Sequence, residues 1–271
     1  MSEESREHPE AWTVKDDSRV DEMRSQDGRY DYQPIEITTP AMYFSQEAVQ
    51  QVLYVATVMS NTYRCVLPTG LHVHVGDSER GFKASTVQNL VATYFTFEEM
   101  IELIHPPERI DLFMAPSLQR GSTMMVQTLK EGERTKENGL RYLLAAERMN
   151  IKKLWKATKA IPSENDNEWR NTRPALNLQP VAKHPNMRTV EFRQHAMTLD
   201  PQEIAHWLRF CVQLVEFADT VDQEVLRIYL NRYSHETRET MSLKTILEEL
   251  GMPREAKYFA GADGITMDHR T

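Results

Sequence analysis

Leu71–Gly76 (LHVHVG) alternates apolar and polar side chains strictly, and so does Thr189–Arg193 within the stretch Arg188–His195 (RTVEFRQH). That period belongs to a strand, in which positions i and i+2 share a face. His72 and His74 therefore project from one side, with Leu71, Val73 and Val75 on the other. Glu191, Arg193 and His195 likewise share a face, opposite Val190 and Phe192. A third stretch, Tyr32–Thr38 (YQPIEIT), sets Glu36 and Thr38 against Ile35 and Ile37, with Pro34 near its start, where a missing N–H is tolerated. Ala11–Lys15 is a further short strand. Each of the three longer strands is thus apolar on one side and charged on the other.

The apolar sides need cover, and the segments between supply it at helical period. Ser45 caps a helix to about Ser60 with Val49, Val52, Leu53 and Ala56 as its stripe. A second helix starts near Ser85, carries Val87, Leu90, Val91 and Tyr94, and stops at His105-Pro106-Pro107. Residues 115–139 read as loop-rich, and a helix covers Leu140–Thr158. Asp200-Pro201-Gln202-Glu203 starts a long helix whose face holds Ile204, Trp207, Leu208, Cys211, Val212 and Val215. A last short helix, Leu243–Leu250, ends at Gly251 and Pro253. Strands separated by helices and long connections make the class α+β or mixed α/β. The expected organisation is a disordered tail over residues 1–11, one domain over 12–253 and a loosely attached segment over 254–271.

Charge narrows the partners. Lys and Arg number 32 against 40 Asp and Glu, a formal net charge of −8, which argues against a nucleic-acid or anionic-membrane binder. Two cysteines, Cys65 and Cys211, make neither a disulfide framework nor a thiolate zinc site. No apolar run approaches the roughly 20 residues of a membrane helix. The polar start MSEESREHPEAW does not read as a secretory signal, so a cytoplasmic location is expected.

The charged strand faces hold two carboxylates, three imidazoles and a guanidinium, with no lysine in these three strands. A solvated sheet face is the plain alternative. Yet Glu36, His72, His74 and Glu191 suit a divalent cation with open positions, magnesium or manganese before a thiolate-loving metal. Arg193 beside Glu191 suits a phosphate or carboxylate. A metal with carboxylates and a fixed guanidinium is the equipment of phosphoryl transfer, whereas a nucleotide-free metal hydrolase would need only His72, His74 and Glu191. No GxxxxGK[ST], GxGxxG, GxSxG or HExxH occurs, so any ATP chemistry must come from the sheet.

Thr69–Gly76 (TGLHVHVG), Ile35–Pro40 (IEITTP) and Thr189–Asp200 (TVEFRQHAMTLD) together resemble the amidoligases of the glutamine synthetase and glutamate–cysteine ligase superfamily. The likeness extends to Trp12–Ser18 (WTVKDDS), Leu103–Arg109 (LIHPPER), Ala175–Leu178 (ALNL) and Ile204–Ala218 (IAHWLRFCVQLVEFA). It implies an antiparallel sheet folded into a half-open funnel with helices on its outer face. It also implies an ATP- and Mg²⁺- (or Mn²⁺-) dependent ligase that joins a carboxylate to an amine of a small metabolite or peptide through an acyl phosphate. Position by position, it implies Glu36, His74 and Glu191 as metal ligands. His72, His74, Arg193, Asn177 and Arg109 become nucleotide or phosphate contacts, and Arg193 and Glu191 the catalytic pair. Glu191→Gln is then expected to abolish turnover with little change in melting temperature.

The family's opening Gly-x-Glu-x-Glu strand has no counterpart, because Glu3, Glu4, Glu7 and Glu10 lie in no alternating apolar stretch. Ala196-Met197 also stands where the family often carries an acidic residue and Gly. The first departure leaves three alternatives: a truncated chain, a sheet edge completed by another chain such as a second copy, or a degenerate member that binds without turnover.

Overall fold

The computed structural model describes residues 11–17, 23–24, 28–29, 31–67, 69–78, 80–110, 112, 114–145, 150–161, 173–183 and 188–261. The chain divides into two compact units, Met1–Thr69 with Met197–Ala205, and Gly70–Ala196 with His206–Thr271. The domain expected over 12–253 takes in residues of both units. The α+β class is what is observed: helices with three small antiparallel sheets of two, two and three strands among the described residues.

In the smaller unit β1 (Thr13–Asp16) pairs with β4 (Ile35–Thr38) in a register that sets Val14 opposite Ile37 and Lys15 opposite Glu36. β2 (Met23–Arg24) pairs with β3 (Asp31–Tyr32). The expected strand Tyr32–Thr38 is thus two strands broken at Gln33-Pro34, since proline has no N–H to give a ladder. Helix α1 (Gln46–Thr62) starts where expected, with Ser45 Oγ accepting from Ala48 N at 3.1 Å. Of its stripe, Val49 and Ala56 are buried.

The larger unit holds β5 (Val73–Gly76), β6 (Leu176–Asn177) and β7 (Thr189–Phe192) in the order β5-β7-β6, all antiparallel. Its helices are α2 (Ala84–Ile101), α3 (Leu118–Gly121), α4 (Lys136–Leu144), α5 (Ile151–Thr158), α6 (Gln179–Lys183), α7 (Pro201–Thr220), α8 (Gln223–Arg232), α9 (Leu243–Glu249) and α10 (Pro253–Ala260). Residues of α7 from His206 onward belong to this unit. The expected helix Leu140–Thr158 is the pair α4 and α5. The stretch read as loop-rich contains α3, a π-turn at Met124–Thr128 and a single 3₁₀ turn at Glu131–Glu133.

Helix α2 organises the core. Every residue from 86 to 98 is buried, polar ones included. Polar side chains survive there because each finds a partner. Thr86 Oγ1 donates to Asp219 Oδ1 at 2.6 Å, Gln88 Nε2 to Leu143 O at 2.7 Å and Asn89 Nδ2 to Ala218 O at 3.0 Å. Glu98 accepts from Leu118 N, Gln119 N and Ser117 Oγ at 2.7–2.9 Å and so caps α3. Helix α4 approaches closely at Gly139, where a Cβ would lie 2.5 Å from Phe95 Cζ. The apolar face of the sheet, Val73, Leu176, Val190 and Phe192, joins the same core, with the Phe192 ring 6.3 Å from Tyr94 and 6.2 Å from Trp207.

The segment from 254, expected to be loosely attached, instead begins inside α10, whose Ala256 and Phe259 are buried. Pro253 does not end the preceding helix; it occupies the first turn of the next one, where a missing N–H costs nothing. Gly251, at φ 78°, supplies the left-handed link between them. Residues 1–10 and 262–271, the expected tails, lie outside the described residues. No helix among the described residues is long and apolar enough to cross a membrane.

Candidate functional site

Register builds the site. β7 is the middle strand, and its Glu191 lies opposite His74 on β5 and opposite Asn177 on β6. The stretches around residues 74, 177 and 191 therefore present their polar groups at one level of the sheet. Glu191 Oε1 lies 3.6 Å from both His72 Nδ1 and His74 Nε2 and accepts a short bond from Arg193 Nη1. Asn177 Nδ2 donates to Glu191 Oε2 at 2.5 Å, while Asn177 Oδ1 accepts from Gln179 N at 2.9 Å. His74 Nδ1 is 3.0 Å from Thr189 Oγ1, which fixes its ring.

Depth sorts these groups. The side chains of Glu191 and Arg193 are 3% and 4% exposed, those of His72 and His74 30% and 36%. An incoming molecule meets the two imidazoles first, with the buried ion pair behind them. Burial pushes the Glu191 carboxyl up, but the close imidazole of His74 and the charge of Arg193 outweigh it. The group is held well below the usual carboxylate range and is ionised. Burial, then the Arg193 guanidinium, lowers His72 to about 4, so its ring is neutral at pH 7.

Arg109 stands beside them without joining the pair. Its Nε donates to Gln194 O at 3.1 Å, and its Nη2 reaches Arg193 O at 3.2 Å and His195 O at 3.3 Å. Gly70 makes room for it: a Cβ there would lie 2.6 Å from Arg109 Nη2 and 3.2 Å from His72 Nε2. One negative charge on Glu191 and two positive charges on Arg193 and Arg109 leave the floor of the site with one positive charge in excess. That field favours a phosphate or carboxylate.

The larger unit thus brings together His72, His74, Asn177, Glu191, Arg193 and Arg109 of the expected set. Glu36 belongs to the smaller unit, where its carboxylate pairs with Lys15 across the ladder at 3.3 Å. His195 lies beyond the end of β7 and does not join the site. Its ring is buried against His105 and Trp207, with centroids 5.3 and 4.9 Å away, and its Nδ1 lies 2.7 Å from Ala196 O. Sequence reasoning missed Gln194, whose side chain accepts from the buried Tyr94 hydroxyl at 2.7 Å and ties the site to α2. Its alternation with Arg193 placed it only on the opposite face.

The donors present do not fit a magnesium ion held by the protein alone. Magnesium wants a near-octahedral set of oxygens. Here the one carboxylate at the centre has both oxygens engaged by Arg193 and Asn177, and its other neighbours are imidazole nitrogens. Among the described residues no group of three or more His, Cys, Asp and Glu side chains is arranged to hold a metal ion.

The chain matches the family described as "Putative amidoligase enzyme" over residues 2–215, most of its length, and it belongs to that family. The match includes every residue of the cluster. No curated protein and no solved structure matches the chain.

Proposed function

We propose that this protein is an ATP-dependent carboxylate–amine ligase that forms an amide or isopeptide bond on a small metabolite or peptide. The observation that carries the reading is the convergence of His72, His74, Glu191 and Arg193 on one polar sheet face, with an excess of positive charge, in a chain of this family. In the reaction, a carboxylate oxygen of the acid attacks the γ-phosphorus of ATP, and ADP leaves. The amine nitrogen then attacks the acyl carbon, and phosphate leaves with the electron pair of the broken C–O bond and takes up the proton that the nitrogen gives up. Arg193 stabilises negative charge that builds on the phosphoryl oxygens. Glu191 fixes the orientation of Arg193, and the half-exposed imidazoles orient the anionic groups as they enter. Magnesium or manganese in this reading comes with the nucleotide, because such ions are commonly held by few protein groups plus substrate phosphates.

A second reading, a member that binds without turnover, is favoured by one observation: both oxygens of Glu191 are already committed inside the protein. Isothermal titration with ATP and Mg²⁺ tests the first reading, which fails if no nucleotide binds. Trapping with hydroxylamine then separates the two. A hydroxamate from any acid in a panel establishes the acyl phosphate, whereas binding with no phosphate release across acids and amines establishes the second.

A further inference from the structure

Beyond Phe192 the β7 backbone stops behaving as a strand. In a regular strand successive carbonyls point to opposite edges, so one cation reaches at most alternate oxygens. Arg109 reaches three in a row, at Arg193, Gln194 and His195. The chain there is bent so that its carbonyls converge on a single guanidinium. The same bend is held from other sides. Arg193 N donates to Ala175 O at 2.8 Å, Leu71 N to His195 O at 3.0 Å and Tyr94 Oη to Gln194 Oε1 at 2.7 Å. Arg193, the first residue of the bend, sends its guanidinium back to Glu191 Oε1, with His72 Nδ1 3.5 Å away.

We propose that Arg109 is a positioning residue: by gathering the carbonyls of residues 193–195 into one bend, it aims the Arg193 guanidinium at Glu191 and His72. The inference rests on the proposed function only in taking Arg193 as the group that meets anionic charge. It differs from the contact role that the family resemblance implies for Arg109, because Nε and Nη2 are engaged by the backbone. A planar fork with fixed donor directions suits three carbonyls, and a lysine ammonium does not. Without the cation, three converging carbonyl dipoles repel one another, the bend opens, and Arg193 loses its aim. Gly70 is the second part of the device, since any side chain there displaces Nη2.

The test reads Arg193 directly. The full chain is labelled with ¹³C,¹⁵N-arginine, and the Arg193 guanidinium signal is assigned by its loss in Arg193→Lys. In Arg109→Lys, Arg109→Gln and Gly70→Ala the Arg193 signal is expected to shift. Its N–H protons should exchange about tenfold faster, as for one lost net hydrogen bond, with the circular dichroism spectrum unchanged. Gly70→Ala keeps Arg109 in the chain and displaces its guanidinium, while also crowding His195 O and His72 Nε2, so the two Arg109 variants carry the test and Gly70→Ala supports them. Arg141→Gln, which removes an exposed pair with Glu137, leaves the signal where it was. An unshifted Arg193 signal in the folded variants overturns the proposal. So does loss of the fold in all three, which would make Arg109 a structural clamp and nothing more. Neither readout needs nucleotide, so failure of ATP to bind would sink the ligase reading and leave this one standing.

Discussion

The two units of this chain are made from similar sequence patterns and end up packed very differently. In the larger unit α2 is wrapped on every side, and the sheet's apolar face is sealed by Trp207, Tyr94 and their neighbours. In the smaller unit α1 buries only Val49 and Ala56, while Val14, Ile35, Tyr43, Tyr54 and Tyr63 stay exposed. The site's imidazoles, ion pair and arginine clamp all stand in the larger unit. A buried pair such as Glu191–Arg193 needs a rigid, dry frame to be worth its desolvation, and only the deep core offers one.

The sharpest break of this contrast is a cavity. Trp207→Ala is expected to destabilise the larger unit by about 3–5 kcal/mol, while Val49→Ala costs the smaller unit about 1.5 kcal/mol. Urea unfolding followed by circular dichroism and tyrosine fluorescence gives both values, and equal costs would erase the distinction. Next in size is Glu191→Gln. Because the carboxylate is buried and faces Arg193, the melting temperature is now expected to fall rather than to stay nearly unchanged. Leaving that guanidinium without its counter-charge costs about 3 kcal/mol. The loss should appear in thermal unfolding as well as in turnover.

A smaller effect separates the units by pH. Burial raises Glu98 to about 7 against the pull of the N–H groups of Gln119 and Leu118. The folded protein therefore holds this proton between about pH 4.5 and 7 while the unfolded chain has released it. This group's contribution is fully present below the unfolded value and is lost as pH rises through 7. Glu98→Gln removes that slope, and stability curves of the two proteins at pH 5 and pH 8 measure it. The smallest effect belongs to the smaller unit. Glu36→Ala breaks a part-exposed pair with Lys15 and costs less than about 1 kcal/mol. If Glu36 nevertheless serves the proposed reaction, activity falls far more than stability does, and parallel assays of each decide it.

What could be read from the residues was whatever depends on one strand or one cap. The alternation in LHVHVG and TVEF placed His74 and Glu191 on polar faces, and Ser45 marked the start of α1. Partners across the fold were not legible. Nothing local says that Glu98 caps α3, that Gln88 and Asn89 turn inward to carbonyls of other helices, or that Arg109 faces three carbonyls. The apolar positions of α2 were legible, but not that its polar residues are buried with them, because their partners lie far off in the chain. Pro253 misled for a related reason: one residue type ends a helix and begins another, and only the following packing of Phe259 tells which.

The encasement of α2 has a consequence for motion. Amide protons of a helix buried on all sides escape to solvent only when the whole unit opens, so α2 should set the slowest hydrogen exchange in the molecule. Through Tyr94 and Gln194 the bend that carries Arg193 is bolted to that slowest element. The site's floor is then expected to share that slow exchange, with the half-exposed rings of His72 and His74 as its freer part.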